Sequence, residues 1–246
     1  MILYNSHSSS ACYGARIGLE LKGLDYKYVP IRLNLEQGEQ DTAAYRGLSP
    51  QKSVPVLVDG KTKIAQSVAI LEYLEERYPS PSLLPPGVAN RAWVRSLALH
   101  IACEIQPLIS LRVERYLTWE RGNGAPAFWA WLRHWITTGF DGVEAMLAAR
   151  SRSNTYCSGD DPTLADCFLV PQVHDALHPV IGIDLSDWPN IHRVYAACSE
   201  HIAFRRAHPE NQPDRGNPPQ HSRTGENTMS KVSGRTDQNR SRQVEQ

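Results

Sequence analysis

Apolar and polar positions change rhythm in short segments through the first third of the chain, then settle into a helical period. Ile2-Leu3-Tyr4 is a short apolar run of strand type. Ser8-Ser9-Ser10 then precede Ile17, Leu19 and Leu21, and Gly23 closes the pattern, so a helix with a polar start and a glycine stop is predicted. From Asp25 to Leu33, Tyr26, Tyr28 and Pro30 alternate with Lys27, Val29 and Ile31, which reads as a strand. Thr42 to Leu48 fits a short helix. Val54 to Val58, the pair Asp59-Gly60, and Lys61 to Ile64 read as a hairpin about an Asp-Gly turn. The next helix sets Val68, Ile70, Leu71 and Leu74 inward and Glu72, Glu75, Glu76 and Arg77 outward. The order βαβ then ββα predicts a small mixed sheet covered by helices.

Pro79, Pro81, Pro85 and Pro86 mark a linker. Beyond it the pattern is helical throughout: two long stretches, Trp93 to Thr118 and Pro126 to Ala149, and two shorter ones, Thr163 to Leu177 and Asn190 to Cys198. The expected division is residues 1–79 for the sheet-bearing domain, 80–88 for the linker and 89–209 for an all-helical domain, with 210–246 as a tail.

Composition changes this picture mainly at the C-terminal end. Apolar content is 41% of 246 residues, ordinary for a globular chain, yet mean hydropathy is low at −0.42. From Glu210 to Gln246 the aliphatic residues are Met229, Val232 and Val244, and aromatics are absent. Such a segment buries too little apolar surface to offset its ordering entropy, so it is expected to be disordered. Deleting Asn211 to Gln246 is accordingly expected to leave stability and activity nearly unchanged.

Lys and Arg number 26 against 26 Asp and Glu, so no global field favours nucleic acid or an anionic membrane. The N-terminus lacks the pattern of a signal peptide, and no run reaches the ~18 apolar residues of a membrane span. The five cysteines are odd in number and scattered without CxxC or metal spacing. That usage suits a reducing cytoplasm and points to no metal.

Four features carry candidate chemistry. Ser9-Ser10-Ala11-Cys12 stands at a helix start after a strand, where free N–H groups and the helix dipole favour an anion. A hydroxyl there can hold a thiol sulfur as thiolate; the plainer reading is a helix cap. Val54-Pro55 opens a strand and has the option of a cis bond, which would expose Val54 backbone for pairing with a bound peptide. Gln66-Ser67 begins another helix and suits a carboxylate, or again a cap. Thr163-x-x-Asp166 reads as a structural capping box.

Taken together, the serine-led helix, the Val-Pro strand, the Gln-Ser helix, the proline linker and the helical domain with Thr-x-x-Asp resemble a cytosolic glutathione transferase. The likeness is closest to the zeta class, which includes maleylacetoacetate isomerase and maleylpyruvate isomerases. Its carriers run from Ser9 to Leu19, through Leu21-Lys22-Gly23, Val54-Pro55, Gln66 to Ile70 and Ile105-Gln106-Pro107, to Leu169-Val170-Pro171-Gln172-Val173 and Gln212-Pro213-Asp214. The resemblance implies a thioredoxin-like α/β N-terminal domain with a mixed four-stranded sheet, an all-α C-terminal domain and a homodimer. It also implies glutathione as cofactor, with Ser9 and Ser10 at the sulfur, Val54 beside Pro55 pairing with the cysteinyl backbone, and Gln66 and Ser67 on the γ-glutamyl end. Glu104, Gln106 and Ser110 would reach the site from the helical domain. The implied reaction is cis–trans isomerisation of a maleyl-type keto acid.

Three departures bear on the substrate. The turn cysteine of many zeta enzymes is Ala11 here, with Cys12 one position later, where a helix N-terminus would depress its pKa and permit a mixed disulfide as a minor role, the plainer reading being a small packed residue. Ser8 and His178 occupy positions where the isomerases carry arginines suited to dicarboxylates. His7 and His178 are cations only when protonated. Arg112 and Arg16 remain, and Arg16 suits a structural ion pair better. Conjugation or dehalogenation of a small electrophilic acid is therefore a second expectation, and a non-catalytic glutathione-binding protein a third.

Overall fold

The structure is a computed structural model describing residues 1–34, 37–150 and 154–216. Strands β1 (Ile2–Asn5), β2 (Lys27–Pro30), β3 (Val56–Asp59) and β4 (Thr62–Ala65) form one sheet in the order β2-β1-β3-β4. β2 runs parallel to β1, which requires a crossover, and helix α1 (Ser10–Leu21) supplies it. β3 is antiparallel to both β1 and β4. Gly60, at φ +59°, makes the hairpin turn where the Asp-Gly signal placed it. The mixed four-stranded sheet expected from the sequence is thus present.

Register decides where chemistry gathers. Tyr4 pairs with Val56, and Val56 pairs with Ala65. The end of β1, the start of β3 and the end of β4 therefore lie along one edge of the sheet. The segments attached there are the serine turn, Val54-Pro55 and Gln66-Ser67.

Helix α1 buries Cys12, Tyr13, Ala15, Ile17 and Leu19, and after its C-cap Lys22 the chain turns at Gly23, φ +62°. Helices α2 (Ala43–Arg46) and α3 (Ser67–Arg77) complete the sheet half. Glu75 of α3 corrects the sequence reading, which placed it outward; it is only 6% exposed. It accepts from the buried Lys22 Nζ at 2.9 Å, from Ser82 Oγ and from Leu83 N, while Lys22 also donates to Tyr78 O and Pro81 O. A buried carboxylate is tolerable with so many donors around it. The pair pins the end of α1 to the proline linker.

The remainder is helical: α4 (Val88–Leu99), α5 (Leu111–Arg115), α6 (Gly124–Ala148), α7 (Leu164–Ala176), α8 (Pro189–Glu200) and α9 (Ile202–Ala207). The predicted single helix from Trp93 to Thr118 is interrupted. α4 passes into a π-helical turn at His100–Ile105, and helix resumes only at Leu111. Pro107 lies in the break, lacking an N–H and crowding the carbonyl four residues back. The short α9 escaped the sequence reading because six residues carry too little period.

α7 carries Pro171 inside it. With no N–H at Pro171, the carbonyl of Cys167 is freed, and α1 packs on that spot: a Cβ on Gly14 would stand 2.6 Å from Cys167 O. Asp166 N-terminally anchors α7, accepting from Thr163 N (2.7 Å), Thr163 Oγ1 (2.8 Å) and Cys157 N (2.9 Å), the capping box read from the sequence. One buried cluster containing Leu3, Ile17, Leu71, Leu97, Phe140, Phe168 and Phe204 runs through both halves.

The expected tail begins too early at Glu210. Gln212 Nε2 donates to Arg206 O (2.8 Å) and His208 O (2.9 Å). Asp214 accepts from His7 N (3.1 Å) and from the Tyr28 hydroxyl (2.5 Å), joining the chain end to the sheet. Polarity hid this, because the segment docks through hydrogen bonds and not through apolar burial. The rest of the expected tail, 217–246, lies outside the described residues. A chain ended after Glu210 should melt several degrees below one ended after Gly216, since the four hydrogen bonds of Gln212 and Asp214, about 1 kcal/mol each, are lost; thermal denaturation of both forms checks this.

Candidate functional site

The site is built around a buried cation. Arg16, fully buried in α1, donates to Asn5 Oδ1 (3.1 Å), Ser6 O (3.1 Å), His7 O (3.1 Å) and Ala207 O (2.9 Å). The sequence suggested an ion pair; the partners are instead carbonyls and an amide, including the last residue of α9, where helix carbonyls favour a cation. Three of these bonds grip Asn5–His7, the segment leading into the serine turn. Asp214 holds the same segment at His7 N.

Ser9 is the N-cap of α1, with φ −82° and ψ 121°, and its Oγ accepts from Cys12 N at 3.3 Å. Ser10 opens the helix, half-buried. The first turn of α1 holds no acid, so its positive end is uncompensated by the chain itself. Ser10 Oγ accepts from Gln106 Nε2 at 3.4 Å. Two segments thus meet at one hydroxyl: α1 and the break after the π-helical turn.

Cys12 does not fit the redox role considered from its position. It is fully buried, its Sγ accepts from Ser6 N at 3.3 Å, and burial pushes its thiol up to about 11, outweighing the nearby Arg16 and the hydrogen bonds from Ser9 and Ser6. It packs as a small core residue.

Across the sheet edge, the Val54–Pro55 bond is cis, with Val54 half-buried and Pro55 buried. Gln66 is exposed at φ +76°, a conformation few residues with a Cβ adopt, and its Nε2 donates to Gln51 Oε1 at 2.5 Å. Ser67 behind it is 5% exposed and opens α3, whose first turn also lacks an acid.

The other expected residues lie farther out. Glu104 is exposed on the π-helical turn, and Ser110 turns back to donate to Pro107 O at 2.8 Å. Arg112 is exposed on α5 and Ser8 is exposed ahead of the turn. His178, exposed past the end of α7, accepts from Val180 N at 3.4 Å. A cavity of about 810 Å³ lined by Pro81, Leu84, Asn90, Arg150 and Asp161 lies elsewhere. Its volume is secondary to the convergence of donors at the serine turn.

Asp175 is the residue that the sequence reading missed. It occupies the last turn of α7, the negative end of a helix, where an acid is out of place. That misplacement was the available signal. Burial pushes its carboxyl up to about 7, with the Ser10 hydrogen bond pulling the other way. Its neighbour His174 turns aside, packing edge-on against Tyr13 (5.8 Å) and His208 (4.9 Å).

Comparison with known proteins is consistent along the chain. Residues 3–82 match the family model described as glutathione S-transferase, N-terminal domain, and residues 136–197 match the glutathione S-transferase, C-terminal domain. A maleylpyruvate isomerase from Ralstonia sp is 44% identical over 214 residues, covering 87% of this chain and 99% of that one. A holo structure of maleylpyruvate isomerase, described as a bacterial zeta-class glutathione S-transferase, superposes with a TM-score of 0.83 at 44% identity, covering 87% and 99% of the two chains. A maleylacetoacetate isomerase from Anaeromyxobacter dehalogenans, with glutathione bound in the active site, matches with a TM-score of 0.76 at 40% identity, covering 88% and 97%.

Beside the site, burial, His208 and His178 together push His174 from 6.5 down to about 4. Between those values the unfolded chain binds a proton that the folded chain refuses, so stability rises with pH and is lost on acidification through that window. His174→Phe should flatten the dependence by on the order of 1 kcal/mol per pH unit, as measured by urea denaturation from pH 4 to 7.

Proposed function

This chain belongs to the zeta class of the glutathione S-transferase family, and from that premise we propose that it is a glutathione-dependent cis–trans isomerase of maleylpyruvate- or maleylacetoacetate-type keto acids. The observation that carries the reading is the shared sheet edge. The acid-free N-termini of α1 and α3 and the cis Val54–Pro55 bond flank one span. Those groups suit glutathione: one helix start for an anionic sulfur, a strand start for a peptide backbone, and a second helix start for a carboxylate.

When bound, glutathione supplies a thiolate that adds reversibly to a double bond conjugated with a carbonyl, so that the bond rotates and the thiol is returned. In this reading Ser9 and Ser10 hold the sulfur with their hydroxyl and N–H groups and favour its ionised form. Val54 pairs its backbone with the cysteinyl residue, held in place by Pro55. Gln66 and Ser67 take the γ-glutamyl end, Gln66 being kept in its unusual backbone conformation by the surrounding chain. Gln106 orients Ser10. Glu104, exposed, and Ser110, half-buried, lie where the homodimer that the family suggests would reach the site from the helical domain; no helix among the described residues is long and apolar enough to cross a membrane, and this reading places the enzyme in the cytoplasm.

A second reading keeps the site and changes the acceptor. Ser8 and His178, both exposed, leave the substrate end without the two arginines that suit a dicarboxylate. A monoacid or halogenated acid conjugated to glutathione fits such a site. Arg112 is then the cation nearest to the role.

Incubation with glutathione and maleylpyruvate or maleylacetoacetate should consume the cis substrate while free thiol stays constant. Stoichiometric loss of thiol would select conjugation instead, and no reaction with any acceptor would exclude both. Ser10→Ala should lower kcat/KM roughly ten- to a hundredfold, the equivalent of one hydrogen bond to a charged group at about 1.5–3 kcal/mol.

A further inference from the structure

His208 follows α9, where the chain turns back toward the sheet half, and its ring makes a contact that only the neutral form can make. Its Nδ1 accepts from Glu210 N at 3.2 Å, capping the 3-10 turn Pro209–Asn211. Its carbonyl accepts from Asn211 N at 3.0 Å and from Gln212 Nε2 at 2.9 Å. With Nδ1 as acceptor, the neutral ring carries its hydrogen on Nε2, so the place left for a second proton is Nδ1 itself. A proton there turns the acceptor into a donor facing another N–H, and the cap is lost. Beyond the turn, Asp214 accepts from His7 N (3.1 Å) and the Tyr28 hydroxyl (2.5 Å). Residues 208–216 thus form a strap, fastened at one end by the His208 ring and at the other to the stretch that leads into the serine turn.

The groups around the ring decide the direction in which acid acts. From α1, Tyr13 packs edge-on at 5.8 Å, the Arg16 guanidinium stands 5.5 Å from the same Tyr13 ring, and Glu20 approaches Arg206 at 3.9 Å. From α7, His174 packs edge-on at 4.9 Å, while His178 is engaged with Val180 N. On its own stretch stand Arg205 and Arg206 of α9 and the Glu210 carboxylate, which pairs with Arg215 at 2.6 Å. Burial holds the half-buried His208 ring below its ordinary value of 6.5, with Arg16 acting the same way and Glu210 opposing. The open strap, with its ring in water, therefore takes a proton more readily than the closed one. Closure is favoured above that ordinary value and lost as the pH falls below it. At the far end a proton on His7 would strengthen its 3.5 Å approach to Asp214 and so work against release.

We propose that His208 is a proton-operated latch on the glutathione site: a proton on its Nδ1 releases the strap 208–216 and loosens the stretch from His7 to Ser10. The proton comes from solvent onto the lone pair of the ring nitrogen, and only hydrogen bonds are broken. Arg16 keeps its hold on Ser6 O and His7 O when the strap leaves, so the site is weakened and not dismantled. The inference rests on the reading that glutathione binds with its sulfur at Ser9 and Ser10. His208 acts on that site through Asp214 and His7, which makes it a positioning residue.

The test follows strap and ligand separately in the full chain between pH 7.5 and pH 5.0. Amide hydrogen exchange, corrected for its intrinsic pH dependence, reads the opening of 208–216. Calorimetry reads the affinity for S-methylglutathione, which has no thiol to titrate. In the wild type the opening constant should rise roughly tenfold on acidification, within the limit of tenfold per pH unit that one proton sets. S-methylglutathione should bind about fivefold more weakly, the equivalent of one hydrogen bond. In His208→Asn, whose amide oxygen can cap Glu210 N at either pH, both changes should shrink to less than about twofold. Equal pH dependence in the two proteins would overturn the proposal, and so would strap opening that leaves the affinity unchanged. Absence of binding at pH 7.5 would overturn the glutathione reading, and the exchange data would then decide the latch by themselves. If His208→Asn does not fold, the nitrogen NMR spectrum of the wild-type ring decides. A neutral ring with its hydrogen on Nε2, protonating in step with strap opening, is expected; a hydrogen on Nδ1 at pH 7.5 overturns the proposal.

Discussion

The buried guanidinium of Arg16 is the interaction on which the site depends. It gathers Asn5, Ser6 and His7 at one end and Ala207 at the other, without a carboxylate in its hydrogen-bonding shell. A charge withdrawn from water is tolerable only when its donors are taken up, and here four acceptors do so. The consequence is mechanical. The segment between β1 and α1 is held at three successive residues, which aims the first N–H groups of α1 and the hydroxyls of Ser9 and Ser10. Asp214 closes the arrangement from the far end of the described chain, holding His7 N and the Tyr28 hydroxyl together.

From that anchoring the electrostatics follow. α1 and α3 both begin without an acidic residue in their first turn, at the same edge of the sheet. Two partial positive charges are left for a ligand to meet, at a spacing set by the strand register. The opposing charge comes from α7: Asp175 sits where its own helix disfavours an anion and where burial does the same. Its carboxyl is therefore near the point of holding or releasing a proton. Preorganised donors at two helix starts, with Gln106 Nε2 on the Ser10 hydroxyl, make the serine turn the electrostatic centre of the site.

Much of the sheet half was legible because its signals are local. The serine start of α1, the Asp-Gly turn and the hydrophobic periods of β3 and α3 each act within a few residues. The capping box of α7 is local in the same way. What escaped was long-range or polar. Glu75 looked like a surface acid until Lys22, far away in sequence, met it in the core. The segment from Glu210 to Gly216 looked disordered because its docking uses hydrogen bonds, which composition does not weigh. Cys12 was placed correctly at a helix start, but its exposure is a tertiary property, and burial reversed the expected direction of its pKa. Pro107 broke a helical pattern whose apolar period ran on past it. Asp175 required knowing which helix faces Ser10.

The central claim is that glutathione lies along this sheet edge with its sulfur at the start of α1. A crystal structure of the protein soaked with glutathione tests it most directly. The account predicts the sulfur within hydrogen-bonding distance of Ser9 or Ser10, the cysteinyl backbone paired with Val54 and the γ-glutamyl carboxylate at the N-terminus of α3. Density for glutathione elsewhere, for instance in the large cavity beside Arg150 and Asn90, with the serine turn empty, would contradict it.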